Sequence, residues 1–281
     1  MAWRKTKMAN NQQHSRRAAL RQQQELEQQR RRRNRVIGIG AGVIAVVLLV
    51  VIGIVAIPPL LDNRGVEVTK NQQTPPNATA EGGIMQDGKK RSDKVPNVIA
   101  YADFMCPHCA EYEEAYGPAF AELVQQGKIT LEHRTAYFMD GEKQAGPSNR
   151  AAIAAATADA FGKYREYADV LFKNQSSYYP EKDLRSTFAE QAGIKGEDLK
   201  KFQELYRTRA YKDFATKSHE AFMNSGATGT PTYVVNGKKL IFGNQETGET
   251  LIAPDAKSIL DAVTKAQNGV DDPTNGPVGE K

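Results

Sequence analysis

The stretch Asp103-Phe104-Met105-Cys106-Pro107-His108-Cys109 holds both cysteines of the 281-residue chain, and it decides the fold. An apolar run, Val95–Ala102, precedes it and is predicted to be a buried strand. Cys106–Gln126 is predicted to be a helix that Gly127 ends. A helix N-terminus carries unpaired backbone N–H groups and the positive end of the helix dipole, which favour a thiolate. Because the thiolate is the reactive form, the pair predicts a redox site whose reactive sulfur belongs to Cys106.

Two other uses of the cysteine pair remain open at this stage. The pair could form an inert structural disulfide or supply half of a zinc site. Zinc needs four ligands, and His108, His133 and His219 form no second close pair. A domain with a single Cys-x-x-Cys and no other cysteine is also not a disulfide-stapled fold. We therefore favour a redox pair, with no metal, and the chain shows no flavin, quinone or haem motif, so no cofactor is expected.

The rest of the pattern predicts an α/β fold. It consists of a small mixed sheet flanked by helices, with a helical insertion over about 145–225. Ser148 is predicted to cap the first helix of the insertion, at 149–174, and two further helices follow at 181–192 and 197–224. The remaining predicted elements are strands at 84–85, 129–136, 231–235 and 238–242, with a turn at Asn236-Gly237, and a last helix at 254–266.

Charge is distributed unevenly along the chain, which has a net charge of +5. Residues 1–35 carry +9 and are rich in Gln, Val36–Ile57 carries no charge, and the remainder carries −4. The excess of positive charge therefore lies in the N-terminal tail, and nucleic-acid binding by the folded part has little support. The 22 residues of Val36–Ile57 are long enough to cross a bilayer, and the arginines before them predict a cytoplasmic N-terminus.

A buried core helix and a cleaved signal peptide are the alternatives for this segment. A core helix should include polar positions, and a signal peptide has a shorter apolar region. The expected organisation is a cytoplasmic tail at 1–35, a transmembrane helix at 36–57, an extracytoplasmic linker at 58–82, a domain at 83–266 and a C-terminal tail at 267–281.

The segment Gly83–Ala266 resembles the DsbA-like thiol-disulfide oxidoreductases of the thioredoxin fold. The resemblance rests on the motif at 103–109, the Ala-rich helix through Ala151–Leu171 and the run Gly229–Val234. With its predicted anchor, the chain is similar to the membrane-tethered, extracytoplasmic members of Gram-positive bacteria. The resemblance implies a thioredoxin-like fold and a protein dithiol oxidase.

The resemblance also implies roles for the residues of the motif. Cys106 would be partly exposed and would attack and be attacked, while the more buried Cys109 would resolve the mixed disulfide. Pro107 suits the first turn of a helix, and His108 can donate a hydrogen bond or positive charge to the thiolate. These effects lower the pKa of Cys106 and make the disulfide a stronger oxidant.

The resemblance further implies that Pro231 is a cis-proline facing the motif and that Thr230 presents its backbone to substrate. Thioredoxin-fold enzymes often bury an acid six residues before the first cysteine, where this chain has Ala100. Asp103 is the nearest acid, and we expect it to cap or to lie at the surface, with a proton relay to Cys109 left open. His133 and His219 are expected to be structural.

The predicted function is to introduce disulfides into exported proteins at the cell membrane. The predicted partners are reduced exported polypeptides and a separate membrane oxidase, and the chain is expected to be monomeric. A disulfide reductase or isomerase on the same fold, and a non-catalytic tethered chaperone or assembly module, are the rival functions.

Overall fold

A computed structural model describes residues 68–141, 145–176, 178–244 and 247–279. The predicted cytoplasmic tail, the predicted transmembrane helix at 36–57 and most of the predicted linker lie outside these residues. Within the described ranges, no helix combines the length and the apolar character that crossing a bilayer requires.

The described strands form one mixed sheet in the order β1-β3-β2-β4-β5-β6. Only β2 and β3 are parallel, and the other neighbours are antiparallel. The strands are β1 (Ile84–Met85), β2 (Asn97–Asp103), β3 (Thr130–Ala136), β4 (Thr232–Val235), β5 (Lys238–Leu240) and β6 (Asn275–Pro277).

Seven α-helices are described, and five of them lie between β3 and β4. They are α1 (Pro107–Gln125), α2 (Pro147–Asp159), α3 (Tyr164–Lys173), α4 (Phe188–Gln191), α5 (Gly196–Arg207), α6 (Lys212–Met223) and α7 (Ala256–Gln267). The helix α1 ends as predicted, because Gly127 adopts a positive φ of 66° and Lys128 N–H bonds to Leu123 O at 2.9 Å. A small mixed sheet flanked by helices is therefore confirmed.

Side chains alternate along each strand between the two faces of the sheet, and both faces are apolar. Val98 and Ala100 of β2 lie on the face that packs against α1 and α7, in a core that includes Phe120 and Val263. The other face is covered by α6, where Phe222 packs against Tyr101 at 5.9 Å between ring centroids. Both faces are buried, so the strand that leads to the cysteine pair is held rigidly.

The Ala-rich helix α2 is the centre of the helical insertion. Every residue from Ser148 to Asp159 is buried, and the small alanines let neighbouring helices approach closely. The prediction that Ser148 caps this helix is wrong. The helix begins at Pro147, and the Asp140 carboxylate accepts the free N–H groups of Ser148 and Asn149 at 2.9 and 2.7 Å.

Two helices predicted as continuous are interrupted. The predicted helix at 149–174 breaks between α2 and α3, where Gly162 has a φ of 64°. The predicted helix at 197–224 breaks between α5 and α6, where Arg209 has a φ of 51°. Neither backbone conformation continues a right-handed helix. In addition, part of the predicted helix at 181–192 is a π-helical turn, Asp183–Thr187.

The predicted linker at 58–82 requires correction from Thr69 onward. Thr69 N–H bonds to Thr208 O at 2.9 Å, and Gln73 N–H bonds to Ala210 O at 2.7 Å. Asn77 donates its backbone N–H and its side-chain amide to the buried Asp159 carboxylate, both at 2.9 Å. This segment therefore docks on the helical insertion, because it supplies partners that buried polar groups need.

The predicted tail at 267–281 is also wrong in part. Residues Asn275–Pro277 form β6, which pairs with β5 and extends the sheet by one strand.

Candidate active site

The cysteine pair lies at the junction between β2 and α1. Cys106 is the residue that caps α1, with φ −79° and ψ 117°, and Pro107 follows as the first helical residue. This is the position at which a missing N–H costs least. Both thiols are free, and the exposed fraction is 6% for Cys106 and 3% for Cys109. The expectation of a partly exposed Cys106 is therefore wrong for the reduced protein, since both cysteines are buried.

The surroundings of Cys106 favour its thiolate. A hydrogen bond from the Cys109 thiol is the largest cause, and it outweighs burial, which acts in the opposite direction. The Thr230 side chain and the backbone N–H groups of Cys109 and His108 add to the effect. Together they lower the pKa of Cys106 from 9.0 to about 5. At neutral pH this sulfur is therefore an anion.

The surroundings of Cys109 favour its thiol. Burial, followed by the hydrogen bond to the Cys106 sulfur, raises the pKa of Cys109 well above its usual range. The backbone N–H of Asp103 donates to the Cys109 sulfur at 3.5 Å. The reduced pair thus carries one proton, which the Cys109 sulfur holds. This arrangement suits Cys106 as the attacking sulfur and Cys109 as the resolving sulfur.

The Thr230–Pro231 peptide bond is cis and lies opposite the pair, as the resemblance implies. The Cys106 sulfur lies 3.3 Å from Thr230 O, within hydrogen-bond distance of that carbonyl. The Thr230 hydroxyl is buried with no oxygen or nitrogen partner among the described residues, and the Thr230 side chain lowers the pKa of both thiols. The structure thus brings together Cys106, Cys109, Thr230 and Pro231.

The His108 ring bonds to Glu111 and not to the Cys106 sulfur. Its Nδ1 lies 2.9 Å from Glu111 Oε2, and both side chains are exposed. The hydrogen bond to Glu111 raises the pKa of His108, and Cys106 is the smallest of the contributors to that shift. The expected hydrogen bond from His108 to the thiolate therefore comes from its backbone N–H, and not from its ring.

Asp103 is buried, which corrects the expectation of a surface position. Its carboxylate accepts the Ser148 hydroxyl and the backbone N–H groups of Met105 and Met139, the last two at 2.9 and 3.1 Å. Burial raises its pKa to about 6 despite these donors. Its capping bond to Met105 fits the other half of the expectation, and its three partners join the active-site loop to the start of the helical insertion.

The helical insertion also holds the loop before α1. Gln175 Nε2 donates to Phe104 O at 2.8 Å and to Cys106 O at 2.9 Å. Tyr179 Oη lies 2.9 Å from Phe104 O. Sequence reasoning missed both residues, because they lie about 70 positions from the cysteines and no local pattern distinguishes them.

The two remaining histidines have partners within the fold. His133 Nε2 lies 2.9 Å from Gln86 Oε1, and burial lowers its pKa to about 4. His219 Nδ1 accepts Tyr137 N–H at 3.2 Å, and the two rings stack at 3.9 Å between centroids. These contacts give both histidines a structural role. Over the described ranges, no three His, Cys, Asp or Glu side chains group as metal ligands would.

Comparison with known proteins places this chain in a family. A family model described as Thioredoxin matches residues 85–253. The chain therefore belongs to the thioredoxin family.

Relatives define the class within that family. The thiol:disulfide interchange protein DsbA of Dickeya dadantii is 25% identical over 173 residues, which cover 58% of this chain and 79% of that protein. The MdbA thiol-disulfide oxidoreductase of Actinomyces oris has a similar fold, with a TM-score of 0.52, 21% identity and coverage of 70% of this chain and 92% of that one. The chain is thus a DsbA-like thiol-disulfide oxidoreductase.

A third relative is a much larger protein. Na(+)/H(+) antiporter NhaA 3 of Salinispora tropica is 33% identical over 143 residues. The match covers 50% of this chain but 20% of the antiporter. This match therefore gives no reason to infer ion transport by this chain.

Proposed function

We propose that this protein introduces disulfide bonds into exported proteins through the Cys106–Cys109 pair. The observation that carries the proposal is the contrast between the two thiols, whose pKa values move in opposite directions. A thiolate held at Cys106 stabilises the reduced form, and a stable reduced form makes the disulfide a stronger oxidant. The contrast therefore favours donation of a disulfide over its reduction.

In the proposed reaction, a substrate thiolate attacks the Cys106 sulfur of the oxidised protein. The Cys106–Cys109 bond breaks, a mixed disulfide forms through Cys106, and Cys109 leaves as a thiolate that takes up a proton. A second substrate thiolate then attacks the mixed disulfide, and Cys106 leaves as a thiolate. The substrate loses two electrons to the protein, which ends as a dithiol.

Two features position the substrate in this proposal. The Thr230 carbonyl lies beside Cys106, and the cis-proline Pro231 follows it. An extended substrate chain would pair with this backbone as an added strand, which places its cysteine at Cys106.

The proposal places the domain outside the membrane, where disulfides persist. Its support is the uncharged segment Val36–Ile57 with arginines on its N-terminal side, which favours a single-pass anchor with the tail at 1–35 in the cytoplasm. A separate membrane oxidase would regenerate the disulfide, since the predicted chemistry includes no other electron acceptor. Carbonate washing of membranes tests the anchor: release of the full-length chain would rule it out.

Equilibration of the full-length protein with glutathione tests the direction of the reaction. A reduction potential well above about −270 mV, the thioredoxin value, is expected for a disulfide donor. A potential near that value would instead favour the rival reductase or isomerase. A Cys106 thiol that resists alkylation at mildly acidic pH would favour a structural disulfide and a non-catalytic module.

A further inference from the structure

The loop that carries Thr230 joins α6 to β4. It spans residues 225–231, and we call it the Thr230 loop. Its position matters because the proposed substrate pairs with the Thr230 backbone, whose carbonyl lies 3.3 Å from the Cys106 sulfur. Within the described ranges, no backbone N–H or C=O of residues 226–230 bonds to another backbone group. Interactions other than a backbone ladder must therefore hold the loop in place.

Side-chain hydroxyls hold the two ends of the Thr230 loop. Ser225 Oγ donates to Phe222 O at 2.7 Å and accepts Ala227 N–H at 3.1 Å, which fixes the start of the loop. Thr232 Oγ1 donates to Gly229 O at 2.7 Å, which fixes its end. Between these points, the Ala227 side chain packs on the apolar cluster around Phe222. The middle of the loop therefore depends on packing.

Val278 and Gly279, which follow β6, lie against this loop. Val278 packs on the same apolar cluster as Ala227. Gly279 has a φ of 100°, and a Cβ placed on it would lie 2.8 Å from Gly226 O. A Cβ on Gly226 would in turn lie 3.5 Å from Val278 O. A side chain at Gly279 would collide with the loop, so the two backbones are in direct contact here.

The C-terminal segment is itself fixed to the sheet, so it can support the loop. β6 pairs with β5, and Ile241 N–H bonds to Thr274 O at 2.9 Å next to this pairing. The Asp272 carboxylate accepts Lys265 Nζ at 2.7 Å and the Thr274 hydroxyl at 2.7 Å. Val278 and Gly279 thus extend from a well-bonded part of the chain onto a loop that has few hydrogen bonds of its own.

We propose that Val278 and Gly279 are positioning residues that hold the Thr230 loop where its carbonyl lies beside Cys106. The proposal rests on the proposed function, because it concerns the backbone with which the substrate would pair. Val278 holds the loop through the shared apolar cluster, and Gly279 limits its movement through the contact with Gly226. Without the two residues, the loop shifts, and its backbone no longer aligns an extended substrate chain with Cys106.

The test compares a peptide substrate with dithiothreitol, a reductant that has no peptide backbone to pair. Excess oxidised full-length protein is mixed with a reduced model peptide, and stopped-flow fluorescence gives the limiting rate and the half-saturating concentration of protein. For a chain that ends at Pro277, we expect the half-saturating concentration to rise roughly tenfold and the limiting rate to stay within about twofold, because pairing stabilises the ground and transition states alike. Reduction of a separate sample by dithiothreitol should proceed at the wild-type rate.

Two substitutions and a second truncation complete the test. Val278→Ala shortens the packed side chain and keeps the backbone, so it should raise the half-saturating concentration by less than the truncation does. It decides the proposal by the same criteria should the shortened chain fail to fold. Val270→Ala shortens an exposed valine of the same C-terminal region and should behave as wild type. A chain that ends at Gly279 should also behave as wild type, because both positioning residues remain.

An unchanged half-saturating concentration in the chain that ends at Pro277 would overturn the role of Val278 and Gly279 and leave the proposed function intact. Equal losses of rate with the peptide and with dithiothreitol would also overturn it, since they would show a general disturbance of the cysteine pair. A wild-type protein whose disulfide does not oxidise the peptide would instead overturn the proposed function, and this proposal with it.

Discussion

The outer and inner sides of the first turn of α1 present the same chemical group to opposite surroundings. On the outer side, the Cys106 sulfur meets the Thr230 carbonyl and backbone N–H groups. On the inner side, the Cys109 sulfur meets the sheet and a cavity that Glu113 also lines. Their thiols lie three residues apart, yet the pKa of one falls to about 5 and that of the other rises well above its usual range.

The comparison shows that the asymmetry of the pair arises from the burial of the inner sulfur and from the hydrogen bond that the inner thiol donates to the outer sulfur. Burial alone would raise both pKa values, because it penalises any thiolate. The outer sulfur escapes this effect because the inner thiol donates a hydrogen bond to it. The two residues between the cysteines contribute less, since Pro107 has no N–H and the His108 ring is bound to Glu111.

Removing the outer sulfur is expected to have the largest effect. In Cys106→Ser, oxidation of a reduced model peptide should fall by more than about 1,000-fold, because no disulfide can form in the pair. Stopped-flow fluorescence of the peptide measures the rate. As the matched variant, Cys109→Ala mixed with oxidised glutathione should form a mixed disulfide at Cys106, release one glutathione thiolate and stop there, because no inner thiol can resolve it. A Cys106→Ser protein that oxidises peptide as fast as wild type would remove the outer sulfur from the mechanism.

Removing the inner thiol should raise the pKa of the outer one. A hydrogen bond to a charged group contributes about 1.5–3 kcal/mol, and one pKa unit corresponds to about 1.4 kcal/mol. In Cys109→Ala, the pKa of Cys106 should therefore rise by about one to two units from its value of about 5. Thiolate absorbance titration measures it. Cys109→Ser keeps a donor at this position and should show a smaller rise; equal values in all three proteins would contradict the proposed cause.

The sequence predicts the outer side of the cysteine pair better than it predicts the inner side. The order of strands and helices, the cis-proline and the position of Cys106 at the helix start follow from local patterns and motif resemblance. The surroundings of the inner sulfur do not follow from such patterns. Glu113 lies in an unremarkable helical stretch, and only the folded structure shows that it lines the same cavity as Cys109, beside Gly117.

The same limit explains the errors in the fold. Residues 69–82 contain prolines and few large apolar groups, so their local pattern indicates a linker. Their partners, Thr208, Ala210 and Asp159, are more than 80 positions away. Strand β6 contains glycine and proline, and it forms only because the edge of β5 is present to pair with it.

The pH dependence of the reduction potential sharpens the comparison further. Above about pH 5 the reduced pair carries one proton, on Cys109, whereas reduced glutathione carries one on each of its thiols. The lowered pKa of Cys106 stabilises the reduced form increasingly as pH rises above about 5, and this contribution is lost as pH falls to that value.

The reduction potential of the protein should therefore exceed that of glutathione by a margin that depends on pH. We expect this margin to shrink by about 30 mV for each unit that pH falls between 8 and 5, and to stay constant below about pH 5. Equilibration with glutathione buffers over this range, with the reduced fraction quantified by alkylation, measures it. A difference already constant from pH 8 downward would mean that the outer thiol has an ordinary pKa.

A substitution at Gln175 tests how much the helical insertion stabilises the loop before α1, on the outer side of the cysteine pair. Gln175→Ala loses two hydrogen bonds, but Tyr179 still donates to Phe104 O and Cys109 N–H to Cys106 O. Because no carbonyl is left without a donor, the loss in unfolding free energy should be about 1 kcal/mol. Urea denaturation measures it. The exposed amide of Gln126, bonded to Glu122, provides the control, since Gln126→Ala should change stability by less than about 0.5 kcal/mol.

The smallest effect is expected at His108, the ionisable side chain that the sequence places closest to the outer sulfur. Its ring is exposed and bound to Glu111, so water screens its charge from Cys106. In His108→Gln, the pKa of Cys106 should rise by less than about one unit, and by less than in Cys109→Ala. Thiolate titration of both variants, with Glu111→Gln as the control for ring charge, ranks the two effects. If His108→Gln produced the larger rise, the asymmetry would originate between the cysteines, and the inner thiol would no longer explain it.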